Sequence, residues 1–175
     1  MQYRGTAIPI ALALCLVVVW PVLAGPFDWS PRQYDTPVNR VLQQVGSNFR
    51  LQLEGCDITP TMQCRFSSPH VAVLVRGRAD PPHIEKITLS ADLFRDDTTA
   101  DPLAAVTNLV LVFGATVVVF DSRLPPDRRV QLLSDTMEMA LTTGASEEDG
   151  LEAHYALVFD DVADGLFLIV ITPKA

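Results

Sequence analysis

Basic residues are scarce in this chain of 175 residues: 13 Lys and Arg stand against 21 Asp and Glu, a formal net charge of −8. The few cations form no stripe with interleaved aromatics, so nothing favours a phosphate backbone, and nucleic-acid binding is excluded as a working hypothesis. Anionic membrane surfaces would repel such a chain too. Histidine is limited to His70, His83 and His154, none beside a nucleophile. No G-x-S-x-G, H-E-x-x-H or phosphate-binding loop occurs, and no internal repeat or low-complexity tract is present. No cofactor is implied, and the sequence points away from an enzyme. Catalysis would require two of the three histidines and nearby acids to converge in one cleft. A metal site would require at least that His70 and His83 meet across paired strands. The acids of Asp96–Asp101 and of Asp160, Asp161 and Asp164 lack the alternating spacing and central glycine of a calcium loop, and read as solvated turns.

Cysteine is also sparse, with Cys15, Cys56 and Cys64. Cys15 lies in the apolar run AIPIALALCLVVVWPVLA that follows MQYRGT with its single Arg4. A short basic lead, an apolar stretch and a small-residue exit have the anatomy of a secretory signal peptide over residues 1–24. Val22 and Ala24 occupy the minus-three and minus-one positions of a cut between Ala24 and Gly25, just after the helix-breaking Pro21. Leu14 stands where a lipoprotein signal needs a small residue, so Cys15 is not read as lipidated. An uncleaved anchor is the rival reading. The cut removes Arg4 and no acid, leaving 12 bases against 21 acids, or −9. In an exported chain the two remaining cysteines are expected to pair as Cys56–Cys64. Closing so short a loop contributes about 2.5 kcal/mol in the chain-entropy model.

The remaining 150 or so residues suit one domain. Residues 25–35 read as an irregular arm whose Phe27, Trp29 and Tyr34 lie against the body. Residues 36–175 read as a single α+β domain. Thr36-Pro37 is a helix start signal, with Val38, Val41, Leu42 and Val45 on one face and Gly46 as the stop. Four strand-like segments follow. Phe49, Leu51 and Leu53 alternate with polar neighbours, as do Met62, Cys64 and Phe66. HVAVLVRGR is more uniformly apolar, and Ile87, Leu89, Ala91 and Leu93 alternate again. Such alternation predicts an antiparallel sheet wet on one face. In PPDRRVQLLSDTMEMALTTG, Val130, Leu133, Met137 and Leu141 mark an amphipathic helix. ASEEDG reads as a polar loop, and the last twenty-odd residues as a terminal hairpin turning at Val162-Ala163-Asp164.

LVLVFGATVVVF, residues 109–120, is the ambiguous stretch. A hairpin turning at Gly114-Ala115 would be apolar on both faces and need covering twice. Read from Asp101-Pro102, the stretch gains a cap and a proline, and Leu103, Val106, Val110, Phe113, Val117 and Phe120 recur at steps of three and four. Leu103–Phe120 is also 18 residues without a charge, the threshold for a membrane span. A span would separate the terminal hairpin from the first strands and uncover their inner face, so a helix on the sheet is the preferred reading.

The expected architecture is an antiparallel sheet of about six strands, with two long helices packed on one face and a short N-terminal helix. The expected role is an exported, periplasmic or secreted non-enzymatic interaction module, such as an envelope adaptor, inhibitor or chaperone-like factor. It would bind a protein partner or itself through the weaker helix face of Asn108, Leu111 and Ala115. The alternatives are a carrier of a small apolar ligand between sheet and helix pair, and a single-pass membrane protein with its span at 103–120. Mass spectrometry of the exported chain is expected to find Gly25 at the N-terminus; a retained Met1 would refute the cleaved signal.

Overall fold

The computed structural model describes residues 25, 27–58, 60–92, 101–160 and 165–174. The segment read as a signal peptide, with Ala24, the end of the fourth strand segment at Leu93, most of the acidic stretch before Asp101, and the turn at Val162-Ala163-Asp164 lie outside the described residues.

Among the described residues, the chain forms α1 (Asp35–Gln44), β1 (Gln52–Ile58), β2 (Met62–Ser68), β3 (Val71–Ala79), β4 (Pro82–Asp92), α2 (Pro102–Phe120), α3 (Pro126–Thr143), β5 (Ala145–Asp149), β6 (Ala153–Asp160) and β7 (Leu166–Pro173). The strands make one antiparallel sheet in the order β1-β2-β3-β4-β7-β6-β5. The α+β class and the two long helices over one sheet face are as the alternation predicts, with seven strands rather than six. Inner residues from the central strands, such as Phe66, Val75, Ile87, Leu89, Ile169 and Leu157, are fully buried beneath the helices.

The additional strand is β5, expected as a polar loop. It is an edge strand, and of its five residues only Ser146 is buried, its hydroxyl donating to the Thr136 carbonyl at 2.8 Å. An acidic edge has no period-two apolar signature because one side faces water, and its charges deter pairing with another chain. At the opposite edge, β1 begins later than its alternation suggests. Asn39 of α1 takes both backbone groups of Leu51, accepting from its amide at 2.8 Å and donating to its carbonyl at 2.9 Å. The ladder starts only beyond this clamp and slips in register between Leu53 and Gly55, leaving Leu53 exposed while Phe49 and Leu51 are buried. Cys56 and Cys64 are direct cross-strand partners and form the expected disulfide.

Thr36 does not cap α1. A single 3-10 turn, Pro31–Gln33, runs into the helix through a helical Tyr34, so the helix begins at Asp35 and needs no cap at Thr36. Gly46, at φ +74°, ends it as read. Helix α2 begins as its sequence indicates: the Asp101 carboxylate accepts from the Leu103 amide at 3.0 Å, with Pro102 in the first turn. Its inner stripe is Ala105, Leu109, Val112, Phe113, Thr116, Val117 and Phe120. The expected stripe holds in the second half and is rotated in the first, where Leu103 is 64% exposed. The largest side chains marked the stripe in the sequence, whereas packing over strands selects the smaller Ala105 near the start. Likewise α3 buries Leu132, Leu133, Thr136 and Ala140, and Leu141 points outward. Met137 packs half-buried against the core, and Met139 faces solvent.

By length and composition α2 is apolar enough to cross a membrane, and half of that window is buried within the fold. Its C-terminal ring, Phe120, gathers the N-terminal arm. Phe27, Trp29 and Tyr34 have ring centroids 5.0, 5.9 and 5.8 Å from it, and Tyr34 also reaches Phe66 of β2 at 5.4 Å. The Phe27 carbonyl accepts from the Ile84 amide at 2.6 Å, tying the same arm to β4. Truncating Phe120→Ala is expected to cost about 3–5 kcal/mol in denaturant unfolding. A loss below 1 kcal/mol would show that this knot does not hold the arm.

Candidate functional site

Tyr34, the residue just before α1, makes a buried polar contact with the second half of α2. The Thr116 hydroxyl donates to the Val112 carbonyl at 2.7 Å, using its single proton, so at the 2.7 Å contact Tyr34 is the donor and Thr116 the acceptor. Burial pushes the Tyr34 phenol well above its ordinary pKa, which keeps that proton in place. On the solvent side of this contact, between the two helices, lies a groove of about 300 Å³. Trp29, Pro37, Val41, Val118 and Val119 supply its apolar wall. Gln33, Thr36, Arg40, Gln44 and Ser122 supply its polar part, and among the described residues no Asp or Glu lines it. Trp29 comes from the arm, Val41 and Arg40 from one turn of α1, and the valine pair from the last turns of α2.

A second concentration of polar groups lies at the α2–α3 corner. Asp121 has no solvent exposure. Its carboxylate accepts from the Leu151 amide at 2.9 Å, the Glu152 amide at 3.1 Å and the Tyr155 hydroxyl at 3.3 Å. Only glycine fits at position 150, because a Cβ there would lie 1.6 Å from the Asp121 carboxylate. Desolvation raises the Asp121 pKa above the usual carboxylate range, against the opposing pull of those three hydrogen bonds. Burial lowers the Arg129 pKa, and the Asp121 carboxylate nearby counters that shift. Arg129 donates to the Ser122 carbonyl, and Arg123 pairs with Glu152. The Asp121 carboxylate is held by the chain's own donors, so this cluster latches the β5–β6 turn to the helix corner, while the buried Arg129 Nε and Glu152 Oε2 beside it have no hydrogen-bond partner among the described residues.

The histidines do not converge. His70 and His83 stand at opposite ends of β3, before its first residue and opposite Arg78 near its last. His83 approaches Asp28 at 3.8 Å, and His154 bonds Asp149 at 2.8 Å on the β5–β6 rim. The His154 hydrogen bond, with Lys174 alongside, holds Asp149 below its ordinary pKa. Among the described residues no three His, Cys, Asp or Glu side chains gather as a metal site.

The face expected to take a partner is not one surface. Ala115 is 1% exposed, so its side chain is not open to a partner. Asn108 spends its amide nitrogen on the Pro69 carbonyl at 3.0 Å, and Leu111 packs half-buried against the core. Of the proposed cut, Gly25 is exposed and its amide donates to Asp28 at 2.9 Å. Sequence reading missed both the groove and Asp121. The available signals were the Val118-Val119 pair beside the bulky stripe and the lone acid ending a charge-free run.

Asp121→Ala is expected to cost about 2–4 kcal/mol, since it strands two amides and a phenol. Because the folded pKa of Asp121 is raised, its favourable contribution is complete below the unfolded value near 4 and is lost as pH rises through the folded value. Stability of the natural chain relative to Asp121→Asn should therefore fall from about pH 4 upward and then level off. A flat difference across that window would contradict the buried-carboxylate account. Compared with models of known families, with curated proteins and with solved structures, the chain matches none.

Proposed function

We propose that this protein is a non-enzymatic binding protein of an exported, oxidising compartment, and that it holds an apolar ligand in the groove between α1 and α2. The observation that carries the reading is the groove itself: about 300 Å³ with a tryptophan, a proline and three valines as its apolar wall. Concave, mainly apolar sites with a few polar groups at one side are the common form of small-molecule pockets. The Cys56–Cys64 disulfide supports the oxidising compartment. A ligand between the sheet and the helices has less support, since Phe113 and Val117 are fully buried in close packing there. A membrane span at 103–120 also has less support, because it would withdraw Thr116 from Tyr34 and Phe120 from its three aromatic neighbours.

A second reading, association with a protein partner or a second copy, draws on a different surface. The sheet face opposite the helices presents Leu166, Leu168 and Val170 on β7 and Val158 on the adjoining β6, partly or largely exposed, with Leu74 of β3 beyond the intervening Thr88 of β4. An apolar sheet face of this kind is a usual interaction surface. Titration with the neutral fluorophore N-phenyl-1-naphthylamine separates the two. The groove reading expects saturable binding of one probe per chain, with a Kd on the order of micromolar, abolished by Val119→Glu. Absence of binding, together with a dimer in light scattering that Val170→Glu dissociates, would replace it with the second reading.

A further inference from the structure

The sheet face opposite the helices carries its apolar residues and its charges of each sign on different strands, and that order specifies what covers it. We infer that a second copy of the chain lies face to face with the first on this surface, related to it by a two-fold axis running along β7. The inference rests on the reading of this face as an interaction surface, and it is independent of the groove between α1 and α2.

Strand β7 is the middle of the run β3-β4-β7-β6-β5, and its outward residues Leu166, Leu168 and Val170 are exposed or half-buried. Across these strands the outward residues align in rows. One row runs Leu74, Thr88, Val170, Ala156 and Glu147. The next begins with Arg76 and Lys86 and ends with Thr172, His154 and Asp149. Cations therefore stand one and two strands to one side of β7, and Glu147 and Asp149 stand two strands to the other. Rotation about an axis along β7 exchanges β4 with β6 and β3 with β5. It lays Arg76 and Lys86 of each copy over the flank of the other that carries Glu147 and Asp149, and it sets Val170 against its own counterpart. Asp149 also holds His154 at 2.8 Å and Lys174 at 3.4 Å, so Glu147 is the acid on which the pairing chiefly depends. Arg65 and Arg78 are given no role, because they pair with Asp57 and Glu85 of their own chain.

A two-fold axis across the strands would instead stack Arg76 on Arg76 and Glu147 on Glu147, so charge selects the axis along them. A partner carrying one sign of charge would meet its like at one flank, whereas a second copy meets the opposite sign at both. Five strands of about eight residues, spaced about 4.8 Å apart, present on the order of 600 Å² per copy. Two copies then bury about 1,200 Å², the lower end of the range for stable interfaces. Sheets packed face to face keep their strands within about 30° of one another, which leaves the rows close to register. The apolar stripe of β7 falls in the middle and the charges fall at the rim, where they orient the copies more than they hold them.

Sedimentation equilibrium of the chain purified after export is expected to show a monomer–dimer equilibrium with a Kd on the order of micromolar. Val170→Glu sets two acids against each other on the axis and should weaken the dimer about a hundredfold. Arg76→Glu and Glu147→Arg should each weaken it about fivefold alone, because each opposes like charges across the interface. An equimolar mixture of those two variants should recover the natural affinity within about twofold, since each copy then offers the sign that the other lacks. Thermal melting checks that each variant folds. A strictly monomeric chain, whether or not it captures a different protein through this face, would overturn the proposal, as would a dimer unmoved by Val170→Glu. A dimer that Val170→Glu dissociates but that the two charge reversals leave unmoved, or that their mixture fails to restore, would overturn the axis along β7. The groove reading survives each of these results, because its own test is the binding of the fluorophore.

Discussion

The inner face of the sheet must be covered, and α2 covers its middle, over β3 and β4, while α3 covers β5 and β6. Seven antiparallel strands present Phe66, Val75, Ile87, Leu89, Leu157 and Ile169 toward one side. Without a helix there, those side chains would stand in water, and burial of this kind is the main favourable term in folding. Valine-rich helices are poor on intrinsic propensity, so α2 owes its conformation to this packing. The other arrangements follow from its position. The arm is gathered around Phe120, α1 is fixed through Tyr34 and Thr116, and α3 turns back at a corner latched by Asp121.

A helix that is apolar on most sides has more surface than one sheet can bury. Ala105, Leu109, Phe113 and Phe120 face the sheet and the aromatic knot, whereas Val118 and Val119 face outward. The arm and α1 cover part of this outer surface and leave a groove over the valine pair. The proposed ligand site is thus a consequence of the same composition that made the segment resemble a membrane span. The open sheet face has another origin: β7 carries apolar residues on both sides, so a one-sided helical layer leaves Leu168 and Val170 facing outward.

Legibility in the sequence followed the range over which each feature is determined. The start of α2 was readable because Asp101 and Pro102 act within one turn. The inward faces of β2 and β4 were readable because alternation against a single core is a local pattern. The phase of the first half of α2 was not, because the choice of Ala105 over Leu103 depends on which strands lie beneath. Strand β5 was hidden by its acidic edge composition, and the cap at Thr36 by a preceding turn that already starts the helix. Asn108, Leu111 and Ala115 suggested a partner surface, but Ala115 is buried within the fold. The groove lay beyond local reading altogether, since Trp29, Val41 and Val118 meet only once the arm and two helices are assembled.

The claim that the outer side of α2 is the working surface is tested most directly by intermolecular nuclear Overhauser contacts. A complex of the methyl-labelled chain with N-phenyl-1-naphthylamine is predicted to show contacts from the ligand rings to the methyls of Val41, Val118 and Val119, and none to Leu168 or Val170. Contacts confined to Leu168 and Val170, or none to any of these five residues, would contradict it.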